Sequence, residues 1–117
     1  MCIRDRDFSI NANATLTWLR AVQEHTRDTV FVHVSTNKVY GDLINRSEKF
    51  VEQELRYSSL RFPNGVDEFL SIDQSKHSLF GVSKLYGDLA AQEYGRYFGV
   101  PTAVSYTHLT LPTTPYV

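Results

Sequence analysis

The sequence predicts an α/β chain in which helix, strand, long loop, helix and strand follow one another as part of a parallel sheet. Three observations predict it. Residues 29–35 and 100–104 are short, apolar and rich in β-branched residues, the composition of buried strands. Each of these runs follows a segment of helical period. Gly41 opens a weakly patterned connection of 36 residues (42–77) before the second helix. A helix between two strands is the crossover of a parallel sheet, right-handed by chain chirality.

The first helix is predicted over 7–25, where Ile10, Ala14, Leu16, Leu19 and Val22 keep helical spacing beside Trp18. The strand Thr29-Val30-Phe31-Val32-His33-Val34-Ser35 is apolar almost throughout and reads as buried on both faces. His33 within it reads as a packed core residue. In the long connection, 47–55 is expected as a short helix carrying Glu48, Glu52 and Glu54. Phe62-Pro63-Asn64-Gly65 is a turn signal, and Asp67, Glu68 and Asp73 read as solvated surface. The second helix is predicted over 78–98, with Ser78 as N-cap and Gly99 then Pro101 as the stop. Leu79, Val82, Leu85, Leu89 and Tyr94 form its expected apolar face, and Tyr94, Tyr97 and Phe98 are expected to pack.

At 117 residues, 42% of them hydrophobic and 21% charged, the chain is the size and composition of one globular domain. A net charge of −1 gives no footprint for nucleic acid or an anionic membrane surface. No apolar run reaches the roughly twenty residues of a membrane span, and the start has no secretory core, so a cytoplasmic protein is expected. One cysteine, Cys2, excludes an intramolecular disulfide and a cysteine-built metal site, and no metal is expected. Residues 1–6 and 105–117 do not continue the pattern of the middle. Both resemble translated sequencing-adapter read-through and are set aside as artefact, leaving 7–104 as an internal piece of a longer domain.

In doubly wound sheets ligands bind beyond the carboxyl ends of the strands. Ser35 and Thr36 stand at that end of the first strand. Lys84 stands one helical turn after Phe80, and the i,i+4 spacing puts both on one face. A threonine hydroxyl, an aromatic hydroxyl and a lysine make a proton-handling set. The lysine charge lowers a tyrosine pKa from about 10 toward neutrality. The tyrosinate then takes the proton of a substrate hydroxyl while hydride leaves the same carbon.

This arrangement resembles the extended short-chain dehydrogenase/reductases, the NAD-dependent epimerase/dehydratase family. Thr36-Asn37-Lys38-Val39-Tyr40-Gly41 is similar to its Ser/Thr-x-x-Val-Tyr-Gly strand end. Phe80 through Lys84 is similar to its Tyr-x-x-x-Lys helix, except at the tyrosine, and Asn11 through Thr15 resembles its preceding Asn-x-x-Gly-Thr helix with Ala14 at the glycine. The resemblance implies a Rossmann-like doubly wound sheet of which 7–104 is a partial NAD-binding domain, a nucleotide-sugar substrate, and a homodimeric parent protein. It implies a catalytic role for Thr36, for the Phe80 position and for Lys84. It also implies substrate contacts from Thr36 and Asn37, and a cofactor contact from Lys84.

Dehydratases of the family carry Thr-Asp-Glu at the strand end. Here Thr36-Asn37-Lys38 supplies neither acid, which argues against dehydration. The string Ser35 through Asp42, with Arg56-Tyr57, Pro63-Asn64-Gly65 before Asp67-Glu68, and His77-Ser78, is similar to the CDP-paratose 2-epimerases. That resemblance implies oxidation at sugar C2 by NAD and return of hydride to the other face.

Phenylalanine has no proton to lose, so Phe80 removes the principal acid/base, a term worth about 10² to 10⁴-fold. Tyr86 is about 200° around the helix from Lys84 and is a poor stand-in. The glycines, at 41, 65, 81, 87, 95 and 99, form no Gly-x-x-Gly-x-x-Gly phosphate loop. The expectation is therefore a piece of a sugar-nucleotide epimerase. The alternatives are an inactive relative that binds a nucleotide sugar, or a truncated chain without a function of its own.

Overall fold

A computed structural model of the chain describes residues 6–26 and 28–105. The first helix is continuous but changes pitch. It is π-helical over Phe8–Asn13 and α-helical over Ala14–His25 (α1). The wider turn shows in Ala14, whose amide reaches back to the Ser9 carbonyl, and Thr15 Oγ1 donates to the Asn11 carbonyl at 2.6 Å. Strand β1 (Phe31–Val34) leads into a 3-10 turn, Asn37–Tyr40. After a short helix α2 (Leu43–Ser47), a two-residue hairpin pairs β2 (Val51–Glu52) with β3 (Tyr57–Ser58). Helix α3 (Ser78–Phe98) and strand β4 (Thr102–Ser105) complete the described chain.

β1 and β4 are parallel, in register from Phe31 opposite Thr102 to Val34 opposite Ser105. The mixed α/β class and the parallel pairing are as the sequence predicts. Helices α1 and α3 touch each other and both touch β1. They cover the sheet face that carries His33, which is 5% exposed. The other face corrects an expectation: Val30, Val32 and Val34 are 62%, 55% and 51% exposed. Side chains alternate across a strand, and among the described residues no layer covers the second face.

The packing of α3 also differs from its apolar pattern. Its buried residues are Gly81, Ser83, Gly87, Asp88 and Ala91, while Leu79, Val82 and Leu89 are about half exposed. Small side chains allow close approach. A Cβ on Gly87 would lie 2.6 Å from the His33 ring, and one on Gly95 would lie 2.7 Å from Thr102 Oγ1. At the helix end Tyr94 and Phe98 pack ring to ring with centroids 5.0 Å apart, whereas Tyr97 is exposed. The helix starts and stops where the sequence places its signals. Ser78 Oγ accepts from the Gly81 amide at 3.2 Å, and Gly99 closes the helix at φ +67° with its amide on the Gly95 carbonyl.

The helix expected over 47–55 is replaced by α2 and the hairpin. Glu48 is drawn out of any helix by its bonds to Ser59 Oγ at 3.2 Å and Arg61 at 3.1 Å. The turn at Phe62–Gly65 is present, with Gly65 at φ +98° and its amide on the Phe62 carbonyl. The whole excursion returns to its own start. Ser75 Oγ donates to the Tyr40 carbonyl at 3.1 Å and accepts from the Leu43 amide at 3.0 Å, and the Lys76 amide donates to Asp42 Oδ1 at 2.8 Å. Gly41, at φ +71°, sits in this neck, where a Cβ would meet Ser75 Oγ.

Of the two ends set aside on sequence, residues 1–5 and 106–117 lie outside the described residues. Arg6 begins the first helix and Ser105 ends β4. No described helix is long and apolar enough to cross a membrane, and no cluster of metal-ligating side chains occurs among the described residues.

Candidate active site

The carboxyl end of β1 is built from three successive residues. Val34 is the last strand residue and its carbonyl is left for a side chain to bond. Ser35 is buried, with its Oγ lacking a hydrogen-bond partner among the described residues. Thr36 remains extended at φ −149°, ψ 153°, and its Oγ1 accepts from the Lys38 amide at 3.4 Å. The hydroxyl therefore caps the turn Asn37–Tyr40, and it also donates to Asn37 Oδ1 at 3.4 Å. The side chain of Asn37 is exposed.

Helix α3 brings the second group. Lys84 Nζ donates to the Val34 carbonyl at 2.6 Å, so the lysine reaches the strand end. Burial disfavours its charged form and lowers its pKa from the ordinary value. Thr36 is two residues beyond that carbonyl. Thr36 and Lys84 are thus each placed near the carboxyl end of β1, the lysine bonded to the Val34 carbonyl and the hydroxyl to Lys38 and Asn37. Phe80 lies one turn earlier on α3 and is 39% exposed.

Two contacts that the sequence reading missed position this turn of α3. Asn11 Nδ2 donates to Ser83 Oγ at 3.1 Å, and Ser83 Oγ donates to the Phe80 carbonyl at 2.8 Å. The π-helical segment is thereby tied to the backbone that carries Phe80. Gly81 is the second. A Cβ there would lie 2.8 Å from the Lys38 carbonyl, so glycine is what lets the strand-end turn dock on the helix. Asn11 carried a signal, as the first residue of the Asn-x-x-Ala-Thr string. Ser83 and Gly81 carried none, because their partners are distant in sequence.

A cavity of about 420 Å³ lies elsewhere, between Tyr40, Leu85, Asp88, Leu89, Gln92 and Val104. Thr36, Asn37, Phe80 and Lys84 do not line it. Its phenol, Tyr40, is buried, and burial followed by the charges of Glu68, Asp67 and Asp88 raises its pKa, which suits packing better than proton transfer.

A hydroxyl at the end of a parallel strand, with a helix lysine bonded to the same strand end, is the arrangement of the class that the motifs resemble, and the chain is similar to an epimerase. It is close to CDP-paratose 2-epimerase: the enzyme of Salmonella typhi is 42% identical over 98 residues, which is 84% of this chain. The chain spans 28% of the length of that enzyme. No family model matches the chain.

Proposed function

We propose that the chain is part of an NAD-dependent sugar-nucleotide epimerase of the CDP-paratose 2-epimerase type. In this reading 7–104 belong to a Rossmann-like domain of a cytoplasmic homodimer, and residues 1–6 and 105–117 are adapter-derived. The observation that carries the reading is the 2.6 Å bond from Lys84 Nζ to the Val34 carbonyl, which holds a cation at the ligand end of a parallel strand. The likeness to CDP-paratose 2-epimerase supports the substrate class.

The residues present fit part of a nicotinamide site. Lys84 is partly desolvated and bonded to the Val34 carbonyl, two residues before Thr36, and the buried Ser35 hydroxyl has no hydrogen-bond partner among the described residues. NAD, when bound, supplies the hydride acceptor and donor. Lys84 would hold the cofactor and lend positive charge to a neighbouring acid. Thr36 would turn its hydroxyl from the Lys38 amide to the substrate oxygen, and Asn37 would contact the sugar. Phe80 occupies the proton-transfer position and moves no proton itself.

Phe80 favours a second reading, an inactive relative that binds a nucleotide sugar. One experiment separates the two. The complete gene is expressed with Phe80 and as Phe80→Tyr, and both are assayed for interconversion of CDP-paratose and its 2-epimer by NMR. The epimerase reading expects turnover that the tyrosine raises by about 10² to 10⁴-fold. No turnover in either form, with CDP-paratose still bound, establishes the second. The 117-residue chain itself is expected to bind NAD weakly, having no phosphate loop. Micromolar binding by calorimetry would contradict that.

A further inference from the structure

The turn of α3 that runs from Phe80 to Lys84 is held by a hydrogen-bond relay that begins on another helix. Asn11 Nδ2 donates to Ser83 Oγ at 3.1 Å, and Ser83 Oγ donates to the Phe80 carbonyl at 2.8 Å. An amide NH₂ only donates, and a serine hydroxyl has a single proton to give. The bond from Asn11 therefore leaves that proton for the Phe80 carbonyl. Ser83 is 4% exposed, so the relay is closed to bulk water at its centre. Its first member is itself fixed. Asn11 lies in the π-helical segment Phe8–Asn13, and Thr15 Oγ1 bonds its carbonyl at 2.6 Å.

The Phe80 carbonyl has a second donor. An α-helix bonds each N–H to the carbonyl four residues back, so within α3 the same oxygen takes the Lys84 amide. A serine that bonds back onto the preceding turn bends its helix locally. Here the bend falls between position 80 and Lys84, the two positions whose spacing puts them on one face. Lys84 is thus held at both ends. Its amide is on the Phe80 carbonyl, which Ser83 also holds, and its ammonium is on the Val34 carbonyl at 2.6 Å.

We propose that Ser83 is a positioning residue: through the Phe80 carbonyl its hydroxyl sets where Lys84 and the side chain at position 80 stand relative to each other and to the end of β1. The hydroxyl touches neither side chain and acts only through the backbone between them. That the two positions serve a reaction rests on the epimerase reading; their placement does not.

Carbon-13 shifts of the Phe80 and Val34 carbonyls, measured on the full chain, test the placement. A carbonyl carbon moves upfield when it loses a donor. Lys84→Met calibrates the Val34 shift for complete loss of the ammonium. Ser83→Ala is expected to move Phe80 upfield and to carry Val34 part of the way to its Lys84→Met value. Ser83→Thr keeps the hydroxyl and should return both shifts to their natural places. A folded Ser83→Ala whose Val34 carbonyl is unmoved overturns the proposal, because a serine with only a structural part would weaken the fold without reaching Val34. Should Ser83→Ala fail to fold, Asn11→Ala decides by the same two shifts: both moved upfield support the relay, and both unmoved overturn it. The catalytic consequence is read on the complete gene carrying Phe80→Tyr. Adding Ser83→Ala should lower kcat for CDP-paratose with KM retained, and an unchanged kcat overturns the positioning role. Absence of turnover before Ser83 is altered counts against the epimerase reading alone, and the Val34 shift still decides the placement.

Discussion

Lys84 and Val34, fifty residues apart in sequence, are joined by a 2.6 Å bond from ammonium to backbone carbonyl. The bond welds the middle of α3 to the last residue of β1. Lys84→Met keeps the aliphatic stem and deletes the donor. Val34 is half exposed, so water can replace the lost partner, and the expected cost is about 0.5–1.5 kcal/mol. Urea denaturation measures it, and an unchanged midpoint would deny the bond any structural part. In the natural chain Lys84 should titrate below 10.5, which NMR of its side chain reads directly. Because the fold lowers this pKa, stability contributed by the group rises with pH toward the unfolded value.

Gly81→Ala tests the docking of the strand-end turn. The obstructing atom is the Lys38 backbone oxygen at 2.8 Å, which cannot rotate away as a side chain would. A loss of about 1–3 kcal/mol is expected, with amide shift changes concentrated at 36–40. An alanine variant as stable as the natural chain, with those shifts unmoved, would show that the contact is loose.

His33 predicts a pH dependence. Burial first, and the Lys84 charge second, lower its pKa from 6.5. The unfolded chain therefore takes up this proton at a higher pH than the folded one. The contribution is complete above about pH 6.5 and is lost as pH falls from there through the folded value. Urea midpoints at pH 7.5 and 5.0 should differ in that sense, and His33→Gln should flatten the part due to this residue. A midpoint that rises on acidification would contradict the assignment.

Much of this architecture was legible in the sequence because its signals are local. The stop at Gly99 and Pro101, the cap at Ser78 and the β-branched run at 30–34 each act within a few residues. The placement of Thr36 at the end of β1 and of Lys84 on the helix that reaches the same strand end was legible too, since each follows from local strand and helix pattern. What escaped was set by partners far along the chain. Nothing near Gly81 announces the Lys38 carbonyl, and nothing near Ser83 announces Asn11. The hairpin at 51–58 has strands of two residues, too short for any period to show. The valines of β1 were expected to be buried because an apolar run reports what a strand can tolerate, whereas burial also needs a layer to cover it.

The neck formed by Gly41, Asp42, Ser75 and Lys76 has an evolutionary consequence. A segment fastened at its base can change in length and sequence while the distance between its ends stays fixed. Doubling the length of such a loop adds only about 0.6 kcal/mol of closure entropy. A change of length between Leu43 and Gln74 would therefore cost little closure entropy while Thr36, Gly81 and Lys84 keep their places. The fastening at the base leaves the length of the excursion open to change even where some of its residues are held.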